Sequence, residues 1–364
     1  MRSTLLSGGY SALLRPILFR SHNSDAEKIH EDMIAVLEKL APTPVAYLAK
    51  FAVGTPRTSV DVAGVSFPGR VGLAAGLDKD GRAARIWSSL GFGFAELGTV
   101  TAQGQDGNPK PRVFRLKKSQ ALINRMGFNN LGVQALAARL EGWGVRRGQR
   151  TLGLPLGISI GKTKIVELDQ AIDDYLASLT AIQPYADYVA VNISSPNTPG
   201  LRQLQDKTHV HDLVSGLVTA AQDLDPTPVP IFVKVAPDLD AAQLDEFLEA
   251  AVNAGASGII ATNTTLSREG IHPTDQGLSR QEGGLSGGPL TARARNVVGR
   301  AVSSGLPVIA SGGIMSVADA QAIFDLGAQL VQVYTGFIYS GPGLVAGINE
   351  SIDKQARGRE HDIL

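Results

Sequence analysis

From residue 71 onward, short apolar runs alternate with segments of helical periodicity. One such segment spans 239–254, where Leu244, Leu248 and Ala251 recur at the spacing of one helix face. Most of the runs are apolar throughout, which is typical of parallel strands buried on both faces. Eight runs occur, at residues 71–77, 94–100, 156–160, 188–193, 231–235, 258–262, 308–310 and 330–334. Eight strand–helix units predict an α/β fold with a closed (β/α)8 TIM barrel, and a doubly wound open sheet is the alternative.

Residues 25–53 precede this pattern and are predicted to form two short amphipathic helices. Ser24 or Asp25 can cap the first helix, and Pro42 and Pro44 end it. Apolar side chains at helical spacing give it one face, namely Ile29, Met33, Val36, Leu37 and Leu40. The helices either pack wholly on the barrel or turn part of their apolar surface to lipid, and periodicity leaves both open. We expect a helical domain over 1–60 and a barrel domain over 61–364.

Residues 1–20 are basic and include a short apolar stretch from Leu13 to Phe19. Pro16 interrupts that stretch and no small-residue cleavage site follows, so a cleaved signal peptide is a poor interpretation. Nowhere does the sequence approach about 20 uninterrupted apolar residues, so no transmembrane helix is predicted.

Composition narrows the chemistry. The 364 residues are 43% hydrophobic, which is enough for a sizeable core, and 34 basic residues balance 34 acidic ones, which gives no argument for nucleic-acid binding. The chain has no cysteine, which excludes disulfides, iron–sulfur ligation and a cysteine base. Its six histidines form no metal-binding pattern, and His209 and His211 are interpreted as surface residues, so no metal site is predicted.

Polar or glycine-rich loops follow seven of the eight runs. In a barrel the carboxyl ends of the strands meet at one face, so these loops predict a pocket for a large polar ligand. Glycine-rich loops after the last two runs favour a phosphate-bearing cofactor held by backbone N–H groups. The seven loops are AAGLDKDG (74–81), GTVT (98–101), NISSPNTPG (192–200), KVAPD (234–238), ATNTT (261–265), SGGI (311–314) and YTG (334–336).

Two lysines stand out in this apolar setting. Lys79 follows the first run and Lys234 lies within the fifth, where burying an ammonium group without a partner is costly. A structural ion pair is one interpretation. The other is a fixed positive charge beside an anionic ligand, such as a reduced flavin with negative charge near its N1.

Six motifs together resemble the class 2 dihydroorotate dehydrogenases, and the resemblance runs from about residue 25 to about residue 350. They are AGLDKDG (75–81), GNPKPRVFRL (107–116), INRMGFNN (123–130), NISSPNTPGLR (192–202), GGLSG (283–287) and VQVYTGFIY (331–339). The resemblance implies oxidation of dihydroorotate to orotate in pyrimidine biosynthesis, with hydride transfer to one FMN and re-oxidation by a membrane quinone. One alternative is another FMN-dependent barrel oxidoreductase with a soluble acceptor such as fumarate or NAD. A second is a non-catalytic membrane-bound barrel that binds a phosphate ligand.

The resemblance also implies roles for individual residues. Ser195 is expected to be the catalytic base, with Thr198 relaying its proton through a water, because a serine is a poor base at neutral pH. Phe128 would close the pocket. The expected substrate-binding residues are Lys79, Asn124, Arg125, Met126, Gly127, Phe128, Asn192, Asn197, Asn263 and Thr264. Those expected to bind FMN are Ala75, Gly76, Leu77, Asp78, Lys79, Thr99, Ser159, Asn192, Lys234, Thr262, Gly287, Gly313, Tyr334 and Thr335.

One position departs from the family pattern. The family commonly has asparagine in the run after the third strand, whereas this chain has Ser159 in GISIGKT. Serine can still hydrogen bond to a flavin but reaches less far.

Two features favour class 2 over the soluble class 1 enzymes, which use a cysteine base and lack an N-terminal helical unit. This chain has Ser195 in place of a cysteine base, and it has the helical unit at 25–53. The resemblance implies that this unit faces lipid and forms the mouth of a quinone tunnel. His30, Arg115 and Tyr334 are the expected polar contacts of the quinone. The missing transmembrane helix and transit-like segment predict a bacterial cell-membrane protein, attached peripherally on the cytoplasmic side. Class 2 members are often monomers, and we expect one here.

Overall fold

The computed structural model describes residues 2–198 and 200–361, without the side chains of 359–361. Met1, Pro199 and the last three residues of the predicted barrel domain therefore lie outside the described residues. The strands are β1 (Val60–Val62), β2 (Val65–Phe67), β3 (Val71–Leu73), β4 (Phe94–Val100), β5 (Val113–Leu116), β6 (Ala121–Asn124), β7 (Leu156–Ile160), β8 (Tyr188–Asn192), β9 (Ile231–Val235), β10 (Gly258–Ala261), β11 (Gly284–Gly287), β12 (Val308–Ser311) and β13 (Leu330–Val333).

The α-helices flank these strands. They are α1 (Arg2–Gly9), α2 (Arg15–Arg20), α3 (Ala26–Leu40), α4 (Pro44–Val53), α5 (Val133–Gly142), α6 (Ala171–Ile182), α7 (Lys207–Leu224), α8 (Ala241–Asn253), α9 (Gln276–Ser279), α10 (Thr291–Ser303), α11 (Val317–Asp325), α12 (Thr335–Ser340) and α13 (Pro342–His361). The periodic segment 239–254 is α8, which Asp240 and Gln243 start with a capping box. His209 and His211 are exposed on α7, which confirms their interpretation as surface residues.

Eight parallel strands close the barrel in the order β3-β4-β7-β8-β9-β10-β12-β13. Each of them lies in one of the eight apolar runs, apart from Ser311, by which β12 extends past its run, and every residue in them is buried. Continuous apolar sequence therefore indicated burial on both faces, by side chains inside the barrel and by helices outside it. The (β/α)8 prediction is confirmed, and the open-sheet alternative is wrong because β13 pairs with β3 and leaves no edge.

A hairpin of β1 and β2 closes the N-terminal end of the barrel. Phe67 from the hairpin is fully buried, with its ring 5.2 Å from that of Phe94 and 6.3 Å from that of Tyr188. Both partners stand at the starts of barrel strands. This apolar layer seals one end, so a ligand has access to the interior from the carboxyl ends of the strands.

A small antiparallel sheet, in the order β11-β6-β5, lies at that open end. The chain leaves the barrel after β4 to form β5 and β6, and again after β10 to form β11. Pairing of β6 with β11 sets Asn124 opposite Gly284, so two of the predicted motifs meet although they are distant in sequence.

The N-terminal helices pack against the same end of the molecule. The Asp25 side chain caps α3 by accepting hydrogen bonds from the amides of Glu27 and Lys28, which settles the choice between Ser24 and Asp25. Helix α1 packs mainly on α13, and the Tyr10 hydroxyl donates to the carbonyl of Ile338.

Part of this helical unit presents large apolar side chains to solvent. The most exposed are Leu5 (71%), Leu13 (70%), Ile17 (67%), Tyr47 (73%), Leu48 (62%) and Phe51 (74%). Several large exposed apolar side chains on one unit of a folded chain indicate an interaction site. Within the described residues, no helix combines the length and apolarity needed to cross a membrane.

Candidate active site

A cavity opens at the carboxyl ends of the barrel strands and extends to α3. Its empty volume is about 1410 Å³, part of which is open to solvent. Barrel residues such as Lys234 and Gly313 line it at one end, and Glu27 and His30 of α3 line it at the other. The small sheet contributes Asn124 between them. One continuous space thus joins the barrel interior to the N-terminal helices.

Most of the predicted site residues line this cavity. They are His30, Ala75, Gly76, Lys79, Thr99, Arg115, Asn124, Met126, Gly127, Phe128, Asn192, Ser195, Asn197, Lys234, Thr262, Asn263, Thr264, Gly287, Gly313, Tyr334 and Thr335. The predicted residues that do not line it are Leu77, Asp78, Arg125, Ser159 and Thr198.

The structure gives three of those five side chains other contacts. The Asp78 carboxylate accepts hydrogen bonds of 3.0 Å from the Ala83 amide and the Trp87 indole, and burial raises its pKa to about 6. Arg125 contacts Gln281 and stacks its guanidinium 4.7 Å from the Phe114 ring centre. Asp78 and Arg125 therefore hold their loops in place from behind the cavity wall.

Ser159 also lies behind the wall. It is fully buried, and its hydroxyl is 2.9 Å from that of Thr99. Thr99 in turn accepts a hydrogen bond of 2.9 Å from the side-chain amide of Asn192. Ser159 thus does not line the cavity itself but orients two residues that do, Thr99 and Asn192.

A hydrogen-bonded cluster of amides surrounds Ser195. Asn263 donates to Asn192 at 3.1 Å, and Asn197 donates to Asn124 at 3.3 Å. The backbone amide of Asn197 donates to the Ser195 hydroxyl oxygen at 3.3 Å. These contacts fix the amide orientations before a ligand arrives, so the cluster offers donors and acceptors in set directions.

Thr198 lies near Ser195 but shares no hydrogen bond with it in the structure. Its hydroxyl is buried and has no partner among the described residues. A buried hydroxyl without a partner is unusual, and an ordered water commonly satisfies such a group.

Burial changes the charge of groups along the cavity. Desolvation lowers the pKa of Lys79 to about 8, so the ammonium form dominates at pH 7 but is lost soon above it. Desolvation, aided by the charge of Lys79, lowers the pKa of His30 to about 3, which leaves a neutral imidazole that can donate and accept. Burial raises the pKa of Tyr334 to about 12, so this phenol keeps its proton.

Sequence reasoning missed two carboxylates at the site. Glu27 lines the cavity and pairs with Arg112 at 2.8 Å, with both side chains 6% exposed. Burial alone would raise the pKa of Glu27, but Arg112 and Lys110 hold it below its ordinary value. Glu96 lies 3.7 Å from the Lys234 ammonium. Glu96 could have been detected, because it is a charged residue within an apolar run (94–100), as Lys234 is in its own run. Glu27 gave no such signal, because it resembles any polar residue of an amphipathic helix.

The glycine loop after β12 forms another part of the wall. At Gly313 the backbone φ is +69°, and a Cβ atom would lie 2.3 Å from the Cα of Thr291. Only glycine fits there, and the loop brings bare backbone to the cavity surface.

The fold is a closed parallel barrel, and its open end holds lysines, side-chain amides and glycine loops. Together these features define a barrel protein that has a site for a large polar ligand. The model of the family described as dihydroorotate dehydrogenase matches residues 57–355. The chain therefore belongs to the dihydroorotate dehydrogenase family, as the motifs predicted.

Individual relatives agree with this placement. The dihydroorotate dehydrogenase (quinone) of Salinispora arenicola is 50% identical over 92% of this chain and 96% of its own length. The protein of the same name from Chloroflexus aurantiacus is 47% identical over 93% and 94%. Among solved structures, the DHODH of Eimeria tenella in complex with ferulenol superposes with a TM-score of 0.81, at 32% identity, over 94% of this chain and 95% of that one.

Proposed function

We propose that the protein is a quinone-dependent dihydroorotate dehydrogenase that uses FMN and oxidises dihydroorotate to orotate in pyrimidine biosynthesis. One observation carries the proposal: a single cavity runs from the glycine loop after β12, past the amide cluster around Ser195, to the exposed N-terminal helices. A cofactor, a small polar substrate and an apolar acceptor each have matching chemistry along this path.

The residues that line the cavity inside the barrel fit FMN. Lys234 supplies a buried ammonium, and Gln332 presents a cavity-lining amide whose buried Oε1 accepts no hydrogen bond from the described part of the chain. Thr99, Asn192 and Thr262 add polar side chains, and the loop at Gly313 supplies bare backbone for a phosphate. Bound FMN supplies a two-electron acceptor that a quinone can re-oxidise.

The substrate would lie against the amide cluster. Lys79 matches the orotate carboxylate, and Asn124, Asn197 and Asn263 match the donors and acceptors of its ring. Phe128 lines the same space and would exclude water from it.

Ser195 would remove the C5 proton as the C6 hydride leaves. Because the Asn197 amide donates to its oxygen, the serine keeps its own proton free to be passed on. A serine needs a proton acceptor, and the unpartnered hydroxyl of Thr198 is our candidate for a relay through water.

The acceptor would enter between the N-terminal helices. Arg115 lines the cavity there, stacks 3.9 Å over Phe19, and leaves its Nε and one NH group without partners among the described residues. With His30 and Tyr334 it would bind the quinone head group. We propose residues 1–60 as the membrane unit, inserted peripherally into the cytoplasmic face of a bacterial cell membrane through its exposed apolar side chains, and a monomer as the working form.

An anaerobic visible spectrum tests the whole proposal. A flavin band that bleaches with dihydroorotate and returns with a soluble quinone is the expected result. Recovery with fumarate or NAD in place of quinone would instead favour the soluble-acceptor alternative. A colourless protein would contradict the FMN assignment and favour a non-catalytic phosphate-binding barrel.

A further inference from the structure

Glu96 is a carboxylate in the interior of the barrel. It lies in β4, all seven residues of which are buried, and its own side chain is fully buried. It does not line the cavity but stands behind Lys234 and Gln332, which do. Burying a carboxylate is costly unless it is paired and hydrogen bonded, so its contacts need an account.

Two neutral donors hold one carboxylate oxygen of Glu96 in place, so the other oxygen faces the Lys234 ammonium. Oε2 of Glu96 accepts from the Gln332 amide at 2.6 Å and from the Tyr188 hydroxyl at 3.0 Å. Oε1 lies 3.7 Å from Lys234 Nζ and has no hydrogen bond within the described residues. The carboxylate thus cannot turn away from Lys234 without losing both anchors.

The surroundings keep this charge unscreened. Tyr188 packs against Phe232 at 5.3 Å between ring centres and against Phe94 at 6.4 Å, in the apolar layer that seals the barrel end. Charges separated from water in this way interact more strongly than charges at a surface. The apolar side chains of that layer pack on one another, so folding alone does not require a polar cluster beside it.

We propose that Glu96 is a positioning residue that anchors the Lys234 ammonium and offsets part of its positive field, and thereby lowers the reduction potential of the bound flavin. The inference rests on the proposed function. A reduced flavin carries negative charge near N1, which Lys234 stabilises and the carboxylate behind it destabilises. A lower potential makes the reduced cofactor a stronger donor to the quinone.

Spectroelectrochemical titration of the FMN-loaded protein tests this role. Glu96→Gln keeps the side-chain size and can still accept from Gln332 and Tyr188 while losing the charge. We expect the midpoint reduction potential of its flavin to become more positive by at least about 30 mV. For a two-electron couple this shift corresponds to a tenfold change in the equilibrium constant. Tyr188→Phe is the matched control, because it removes one hydrogen bond to the same carboxylate but leaves the charge. Its midpoint should move by less than half as much.

The outcomes separate this inference from the function beneath it. The parent protein is measured first, and absent flavin or absent bleaching by dihydroorotate would overturn the proposed function and this role with it. A bleaching parent with an unchanged or more negative Glu96→Gln midpoint overturns the role of Glu96 alone. An equal shift in Tyr188→Phe overturns it too, since network disruption would then be the cause. If Glu96→Gln retains no flavin, Glu96→Asp is measured instead. Its shorter carboxylate should shift the midpoint to a more positive value than the parent's by less than about 30 mV, and a midpoint equal to the parent's overturns the proposal.

Discussion

The ion pair between Glu27 and Arg112 ties α3 to the loop before β5. Arg112 also donates hydrogen bonds of 2.6 and 2.7 Å to the carbonyls of Asp106 and Asn108, so one guanidinium joins the N-terminal unit to the loop that precedes Asn124. Both side chains of the pair are 6% exposed. Removing one member of a buried pair strands the other charge, at a cost of about 3–5 kcal/mol.

We therefore expect Glu27→Ala to lower the free energy of unfolding by about 3–5 kcal/mol, measured from urea transitions. Glu31→Ala is the control, because Glu31 is half exposed and, within the described residues, forms an ion pair only with Lys110, so its loss should cost under about 1 kcal/mol. Glu27→Ala with Arg112→Met should cost less than Glu27→Ala by itself, since no unpaired charge remains buried. Equal losses for Glu27→Ala and Glu31→Ala would refute the reasoning.

The same pair carries a pH dependence. The native pKa of Glu27 lies below its ordinary value, so the pair stabilises the fold above the unfolded pKa of about 4.5. That contribution is lost as the pH falls through the lower native value. Glu27→Ala should accordingly lose less stability than the parent when both are titrated from pH 6 down into this range, and parallel curves would contradict the assignment.

The remaining predictions concern function. Lys79→Met should weaken orotate binding about 10- to 100-fold, from the loss of a charge-assisted hydrogen bond of about 1.5–3 kcal/mol, as read from the perturbed flavin spectrum. In the parent, orotate affinity should fall as the pH rises through about 8, because Lys79 then loses the charge that binds the carboxylate; a flat profile up to pH 9 would count against it. Ser195→Ala should slow anaerobic flavin reduction about 10²- to 10⁴-fold with little change in orotate affinity, and a rate near the parent's would remove Ser195 as the base. The double substitution Tyr47→Ser with Phe51→Ser should reduce binding to phospholipid vesicles more than tenfold in a sedimentation assay, since each apolar side chain buried in lipid contributes about 1.5–3 kcal/mol. Unchanged sedimentation would place the membrane contact elsewhere.

The sequence by itself determined the barrel and the face that carries the site. Continuous apolar runs mean strands buried on both sides, and eight of them joined by helical segments leave a closed barrel as the natural arrangement. Because parallel strands all end at one face, the polar loops after them had to converge there. The cost of burying an ammonium group also marks Lys234, within its apolar run, as a residue that needs a partner or an anionic ligand.

The tertiary structure decided which way each side chain points. Asp78 adjoins Lys79 in the chain, yet its carboxylate holds Ala83 and Trp87 while Lys79 lines the cavity. Ser159 likewise turns to Thr99, and Glu96 meets Lys234 only because barrel closure brings β4 and β9, which are not neighbours in the sheet, within reach of each other. Periodicity indicates whether a position is buried, since burial repeats along an element. Which partner a buried polar group finds depends on strand pairing and closure between residues distant in sequence, and these arise only when the whole barrel forms.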